Sequence, residues 1–471
     1  MALEQPAGQA TQTNAVPPLT IARKLGYGAG DVGPALVATI SGFFLNVFLL
    51  DVAGLEPYMA AAIFLIVKIW DSLNDPIIGA MTDRTNTRWG RRRPWLLFGA
   101  IPFGIAWLLQ WLVPDLGGWA LFAYYLVVAL LLDTAVTSVN VPYTALTPEI
   151  APGYNERTDL NTYRFSFSIL GGMFSLLIHD TILRSAANVA AGYAISAAIM
   201  GAVIIVTNWI TFASVQERYV PVEQADEPGF IEGFKIAFSN RPFLMVTGIY
   251  LMSWLAIQFI QANMLFYVRY WMGAEDQFII LAMALQISIF LFLLVWSRVS
   301  EKIGKRHAYF AGISIWILVE VALYFVQPGQ MTLLIVLAVL AGAGASVAYL
   351  IPWSMLPDVV DVDELNTGLR REGVYYGFFV FLQKLGISLG LALSNLVLQW
   401  VNYIAAVPGE PIPVQNDGVL LAFRLFVSFV PLVILLLSLP IAYKYPITRE
   451  RHAEIQAALA ERRGGLVHEQ G

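Results

Sequence analysis

Twelve long apolar stretches follow one another along the chain, separated by short polar segments. Each holds about 20 residues or more, the length an α-helix needs to cross the hydrocarbon core of a bilayer. The pattern predicts an all-α membrane protein with twelve transmembrane helices, called spans 1 to 12. The predicted spans are 28–52, 58–82, 94–113, 119–148, 161–183, 192–215, 243–270, 277–298, 307–326, 331–356, 373–402 and 419–444.

The composition fits a chain that lies mostly inside a membrane. Of its 471 residues, 58% are hydrophobic and 13% are charged, whereas average soluble proteins carry roughly 25% charged residues. The net charge of −5 argues against a nucleic-acid partner. The lack of cysteine excludes disulfides and thiolate chemistry, and the four histidines have no metal-ligand spacing. We therefore expect no bound cofactor.

Basic residues predict how the spans are oriented, because short cytoplasmic loops are rich in Lys and Arg. They gather in the connections that follow even-numbered spans, as in Arg84 to Arg93 and Lys302 to Arg306. The connections that follow odd-numbered spans hold almost none, apart from Arg184 and Arg269. Both termini are therefore expected on the cytoplasmic side of a plasma (inner) membrane.

A polar linker and an internal repeat divide the chain. We expect a disordered cytoplasmic tail at 1–22, six-helix bundles at 23–215 and 243–446, a cytoplasmic linker at 216–242 between them, and a second tail at 447–471. Span 4 ends in Val-Pro-Tyr-Thr-Ala-Leu-Thr-Pro-Glu and span 10 in Ile-Pro-Trp-Ser-Met-Leu-Pro-Asp. Two such repeats predict the major facilitator fold, whose substrate site lies between the halves.

Span 2 carries a cluster of polar side chains at a depth where charges are costly. Asp71 and Asp75 share a helix face, and Asn74 borders it. Such oxygens suit Na⁺, for which Asp71 and Asp75 would be the metal ligands, or a proton shared by the two acids. The alternative is a salt bridge of Lys68 with Asp71, which leaves the second acid unexplained. Thr137 of span 4 either adds an oxygen to this site or bonds a neighbouring helix.

Other polar residues inside the spans have two interpretations. Arg164 either extends to the cytoplasmic interface or serves the site. Lys384 needs an internal partner, which would be a substrate oxygen or the acids of span 2. Asp133 is expected to pair locally, Asp31 to lie at the interface, and Glu320 has no assigned role.

Enzyme motifs are weak. The G-x-S-x-G match at 386–390 lies in an apolar helix and fits a packing face better than a nucleophile elbow. The chain has no Gly-rich phosphate-binding loop followed by Lys-Ser/Thr, so we expect neither an enzyme nor ATP-driven transport.

The chain resembles the glycoside–pentoside–hexuronide:cation symporter family, the melibiose permease family, from about Lys24 to Pro446. The strongest block is Ile-Trp-Asp-Ser-Leu-Asn-Asp-Pro-Ile-Ile-Gly at 69–79, with further matches at 24–28, 88–95 and 357–361. The resemblance implies a cation site of Asp71, Asn74, Asp75 and Thr137. It also places the family's substrate-cavity Arg, Trp and Lys on Arg164, Trp353 and Lys384.

The chain departs from the family where galactosides are bound. The acid of span 1 falls on Ala35, the acid of span 4 on Asn140, and a stacking Trp on Thr144, so we retain Asn140 and Thr144 as substrate candidates. The segments Phe-Phe-Leu at 43–45 and Pro-Trp-Ser-Met-Leu-Pro-Asp-Val at 352–359 also resemble the sodium-dependent lysophosphatidylcholine symporters.

The sequence therefore predicts a secondary active symporter that works by alternating access. It would couple Na⁺ or H⁺ entry to uptake of a small molecule, with a sugar or glycoside ranked first and a lysophospholipid second. A non-transporting receptor or scaffold is the distant alternative. We expect a monomer surrounded by membrane lipids, whose basic loops pair with Glu149 and Asp358 to latch the cytoplasmic side.

Overall fold

The computed structural model describes residues 19–151, 154–217, 230–369 and 371–469, and these are almost entirely helical. Span 1 consists of the helices Ile21–Gly28 and Val32–Ile40 followed by two wider π-helical turns, Ser41–Leu45 and Phe48–Val52. The prediction of an all-α chain with a helix at each of the twelve stretches is confirmed. Spans 2 to 12 are Pro57–Arg84, Arg93–Gln110, Gly118–Ile150, Tyr154–Ser185, Val189–Ser214, Arg241–Phe266 (continued by the π-helical turn Tyr267–Trp271), Phe278–Ile303, Lys305–Tyr324, Met331–Thr367, Glu372–Trp400, and the pair Asp417–Val427 and Phe429–Tyr443.

Within the described residues, ten helices are long and apolar enough to cross a membrane by length and composition alone. Spans 2 and 3 are not among the ten, and span 2 carries Lys68, Asp71 and Asp75 near its middle. The apolar pattern therefore weakens where the candidate site lies. Span 12 is interrupted at Ser428, three residues before Pro431, because a proline lacks the N–H and its ring clashes with the carbonyl four residues earlier.

Two of the described helices lie outside the spans. Phe230–Ser239 belongs to the predicted linker, and Arg449–Glu469, the tail helix, follows span 12. The tail helix packs on span 10, where Gln456 donates a hydrogen bond of 2.6 Å to Asp361. The predicted disordered tail falls mostly on residues 1–18, outside the described residues, as does the part of the linker at 218–229.

The two halves meet along three helix pairs. Span 1 contacts span 7, span 2 contacts span 11, and span 5 contacts span 8. In the first half, span 3 packs most closely on spans 4 and 6. In the second half, span 10 packs most closely on spans 8 and 9. This arrangement leaves a space between the halves that spans 1, 2, 4 and 5 face from one side and spans 7, 8, 10 and 11 from the other.

A cluster of polar groups around the buried Asp51 ties the halves together at the end of the bundle away from the tail helix, called the distal end. Asp51 of span 1 accepts hydrogen bonds from Arg269 (2.5 Å) and Tyr270 (3.0 Å) of span 7. Tyr403, after span 11, also donates to Asp51, and Arg269 pairs with Glu275 at 2.5 Å. We call this cluster the distal seal.

At the opposite end, the ion pairs among the described residues that involve the basic loops stay within one half. Arg91 and Arg92 contact Glu149 at 2.6 Å in the first half, and Lys305 contacts Asp358 at 2.7 Å in the second. The predicted partners are therefore correct, but these pairs do not join the halves. The structure is held shut at the distal end and not by these pairs at the other.

Candidate functional site

The acids of span 2 form an ion-pair cluster with lysines from both halves. The Lys384 ammonium of span 11 lies 2.9 Å from Asp71 and 2.6 Å from Asp75. Lys68 lies 2.9 Å from the other oxygen of Asp71. The predicted salt bridge of Lys68 with Asp71 is present, and the second acid, Asp75, forms an ion pair with Lys384. We call these four residues the charge cluster.

Span 4 adds a hydroxyl to the charge cluster. Thr137 donates a hydrogen bond of 3.1 Å to Asp75, on the oxygen that Lys384 does not contact. Asn74 is buried beside the acids, and its Nδ2 atom has no hydrogen-bond partner among the described residues. Carboxylate, hydroxyl and amide oxygens are ligands that hard cations take. The four residues predicted for the cation site are thus on spans 2 and 4, with Asp71, Asp75 and Thr137 connected through direct bonds around Lys384.

A cavity of about 610 Å³ lies between the halves, next to the charge cluster. Most of its walls are apolar, with aromatic rings from Phe64, Trp254, Phe290 and Tyr349. We call it the central cavity. Its charged and amide side chains are Lys68, Gln110, Asp133, Gln258, Gln261 and Gln286.

The residues predicted to bind substrate are not in the walls of the central cavity. Lys384 belongs to the charge cluster. Arg164 bonds Asp31 at 3.1 Å and lies over the ring of Tyr143, with the guanidinium carbon 5.2 Å from its centroid. Asp31 is buried, because Arg164 offers it a partner inside the first half; its place at the membrane interface stays a prediction.

The remaining three candidates lie farther along spans 4 and 10. Thr144 donates to the backbone carbonyl of Val141 in its own helix at 3.0 Å. The Oδ1 atom of Asn140 is buried and has no hydrogen-bond partner among the described residues. Trp353 donates to the hydroxyl of Tyr250 at 2.8 Å and is 38% exposed.

Glu320 of span 9 is fully buried at the edge of a smaller cavity. One carboxylate oxygen accepts a hydrogen bond of 2.6 Å from the indole of Trp316, and the other has no hydrogen-bond partner among the described residues. No role for this acid follows from the sequence. The indole of Trp316, four residues earlier, satisfies only one of its two carboxylate oxygens.

Comparison with known proteins identifies the family. The model of the MFS/sugar transport protein family matches residues 26–449. An uncharacterized symporter of Synechocystis sp. is 41% identical, over 93% of this chain and 96% of that protein. The sodium-dependent lysophosphatidylcholine symporter 1 of Gallus gallus is 29% identical, over 94% and 90% of the two chains. The sphingosine-1-phosphate transporter of Xenopus tropicalis is also 29% identical, over 94% and 91%.

Solved structures support the fold. The nucleoside transporter NupG superposes with a TM-score of 0.64 at 14% identity, covering 91% of this chain and all of that one (100%). The inward-open xylose transporter XylE from E. coli gives a TM-score of 0.60 at 13% identity, covering 93% and 98%. The predicted major facilitator fold is confirmed. The chain is a multi-pass membrane symporter that belongs to the MFS/sugar transport protein family.

Proposed function

We propose that this symporter couples the entry of Na⁺, or of H⁺, to the uptake of an amphiphilic molecule of the lysophospholipid kind. The observation that carries the proposal is the charge cluster beside a large, mostly apolar cavity. The cavity offers apolar walls for a chain, and the cluster offers carboxylates for a cation. Both lie between the two halves, where alternating access exposes them to one side of the membrane at a time.

The coupling follows from competition for the same two carboxylates. In the described conformation Lys384 supplies the positive charge between Asp71 and Asp75. A cation that binds Asp71, Asn74, Asp75 and Thr137 displaces the ammonium group, because two positive groups cannot occupy the same position between the two carboxylates. The released Lys384 then offers its donors to an anionic oxygen of the substrate. Cation binding thus prepares the substrate site.

The orientation is inferred from the basic loops. We place both termini in the cytoplasm and the distal seal on the outer side of the plasma (inner) membrane. The described conformation is then closed to the outside, and we assign it to the inward-facing state. One chain supplies both halves of the site, so a monomer suffices for transport.

The four remaining candidates belong to the path from the central cavity to the cytoplasm. Asn140 and Thr144 follow Thr137 by three and seven residues on span 4, which runs toward that side. Trp353 follows the cavity residue Tyr349 on span 10. Arg164 lies near the start of span 5. We assign these residues to substrate passage and release.

A sugar is the second candidate substrate. The family description and the amides of Gln258, Gln261 and Gln286 in the cavity favour it, since amides can bond hydroxyls. The amphiphile ranks above it because two of the relatives are named for lysophosphatidylcholine and sphingosine-1-phosphate, and because the cavity walls are mainly apolar.

Uptake into proteoliposomes tests the proposal. We expect a labelled lysophospholipid, presented on albumin, to accumulate only under an inward Na⁺ or H⁺ gradient. A labelled disaccharide is the parallel arm. Accumulation of the disaccharide alone would favour the second candidate, and accumulation of neither under any gradient would contradict cation-coupled symport of both substrate classes.

The distal seal gives a separate prediction. Arg269→Ala leaves the buried carboxylate of Asp51 without its cation, which is a costly change, so the outward-facing state should become more populated. The chain has no cysteine, so a single Ser41→Cys in the cavity wall can be labelled with an impermeant maleimide. We expect severalfold faster labelling from outside in Arg269→Ala.

The matched control is Arg306→Ala, which removes a guanidinium stacked on Tyr443, 4.8 Å from the ring centroid, at the opposite end. Equal labelling rates for Arg269→Ala and Arg306→Ala would show that the distal seal does not set the conformational equilibrium.

A further inference from the structure

Asp133 of span 4 is a cavity acid with an unsatisfied oxygen. It lines the central cavity, yet its Oδ2 atom is inaccessible to solvent and has no hydrogen-bond partner among the described residues. The local pairing expected from the sequence is therefore not observed. Leaving a buried carboxylate oxygen unpaired is costly, so a partner from outside the described residues would stabilise Asp133.

The helical spacing puts the polar side chains in two layers. Asp71, Asp75 and Thr137 lie in the first with Lys384, and Asp133 and Lys68 lie in the second. Thr137 follows Asp133 by four residues on span 4, and Asp71 follows Lys68 by three residues on span 2. Both spans run in the same direction, so Asp133 lies about one helical turn, roughly 5.4 Å, on the distal side of Thr137, and Lys68 lies a similar distance on the distal side of Asp71. Lys68 also lines the central cavity.

The two layers carry one negative charge more than they carry positive charges. The layers contain two ammonium groups, on Lys68 and Lys384, and three carboxylates, on Asp71, Asp75 and Asp133. One monovalent cation therefore neutralises them. A substrate that arrives with the cation adds no net charge only if it is itself neutral or zwitterionic. A zwitterion suits this layer because an acid and a base line the same apolar space.

We infer that Asp133 and Lys68 form a subsite for a zwitterionic headgroup, in which Asp133 binds an ammonium group and Lys68 binds an anionic oxygen. The inference rests on the proposed amphiphile transport and narrows its substrate class. Lys68 has donors free for this role, since its ammonium carries three and one is used on Asp71. The aromatic walls at Trp254 and Tyr349 suit an alkylated ammonium, which is attracted to ring faces.

A matched pair of lipids tests the subsite. Lysophosphatidylcholine and lysophosphatidylglycerol with the same acyl chain share the phosphodiester, but only the first carries an ammonium group. Binding of each is measured with the full chain in nanodiscs, at fixed Na⁺ and without a gradient. For Asp133→Asn we expect the affinity for lysophosphatidylcholine to fall at least about tenfold, the lower end of a charge-assisted contact. The affinity for lysophosphatidylglycerol should stay within about twofold of wild type.

Two further variants make the outcome specific. Lys68→Gln should weaken both lipids alike, because both present an anionic oxygen. Asp180→Asn, which alters an acid paired with Arg184 away from the cavity, should weaken neither. Unchanged lysophosphatidylcholine binding in Asp133→Asn would overturn the subsite, as would an equal loss for both lipids. A changed Na⁺ dependence with both lipids would overturn it as well and place Asp133 in the cation site instead.

Failure of the proposed function gives a different result. If wild type shows no gradient-driven uptake but Asp133→Asn still loses only the ammonium-bearing lipid, coupled transport is wrong and the subsite stands. If wild type takes up both lipids equally under a gradient and Asp133→Asn changes nothing, transport stands and the subsite is wrong.

Discussion

Replacing Asp75 by alanine is expected to abolish gradient-driven accumulation of the substrate. The change removes the carboxylate that contacts both Thr137 and Lys384 and leaves Asp71 as the only acid of the site. Loss of a ligand should lower the Na⁺ affinity at least about tenfold. Accumulation then stops because the gradient, worth about 2.3 kcal/mol per charge for each 100 mV, no longer acts on substrate movement. Uptake into proteoliposomes with and without the gradient measures the loss.

Asp115→Ala is the matched control, since this acid is exposed in the connection between spans 3 and 4. It should accumulate substrate like wild type. Undiminished gradient-driven uptake by Asp75→Ala would remove this residue from the cation site. Loss of downhill flux as well as of accumulation would point to a folding defect, which thermal unfolding of the purified variant distinguishes.

Replacing Lys384 by methionine is expected to abolish net uptake of the substrate while exchange of substrate across the membrane continues. Methionine keeps much of the apolar stem but removes the ammonium that competes for Asp71 and Asp75. Cation affinity should therefore rise, by about tenfold or more for a charge removed from such close contact. The carrier without cation would then have to change conformation with Asp75 unpaired and Lys68 as the ammonium group left on Asp71, so its return step should fail.

Counterflow and net uptake measure this separation. Lys384→Met should exchange labelled for unlabelled substrate in saturating Na⁺, at a substrate concentration raised to offset the lost contact with the ammonium group, while accumulating almost none in net uptake. Lys235→Met, on the exposed face of the linker helix, should behave as wild type in both assays. Normal net uptake by Lys384→Met would show that this lysine does not neutralise the empty site.

The sequence was sufficient for the fold and for half of the charge cluster. The lengths of the apolar stretches predicted every span, and the spacing of Asp71 and Asp75 placed them on one helix face. The resemblance favoured the cation site over helix packing for Thr137. The place of Lys384 inside span 11 showed that it needs a partner. The sequence could not decide whether that partner is a substrate oxygen or the acids of span 2, because Lys384 is 309 residues from Asp75.

The contacts that sequence reasoning missed join residues distant in the chain. Asp51 and Arg269 are 218 residues apart, and each lies at the end of its span, where a charge is ordinary. Asp31 looked interfacial because its partner Arg164 comes from another span. The central cavity is formed by side chains from both halves, so no local pattern indicates that Asp133 faces it and Arg164 does not.

The π-helical turns bear on how the distal seal opens. Asp51 lies within Phe48–Val52, and Arg269 within Tyr267–Trp271, so both partners of the seal occupy backbone whose hydrogen bonds span one residue more than those of an α-helix. Return of either turn to α-helical geometry would shift the register of the residues after that turn by one position and rotate them by about 100°. Such a rotation turns a carboxylate or guanidinium out of the interface without displacing the rest of its span. The distal seal can therefore open by local rewinding of two helix ends, ahead of any rigid movement of the halves.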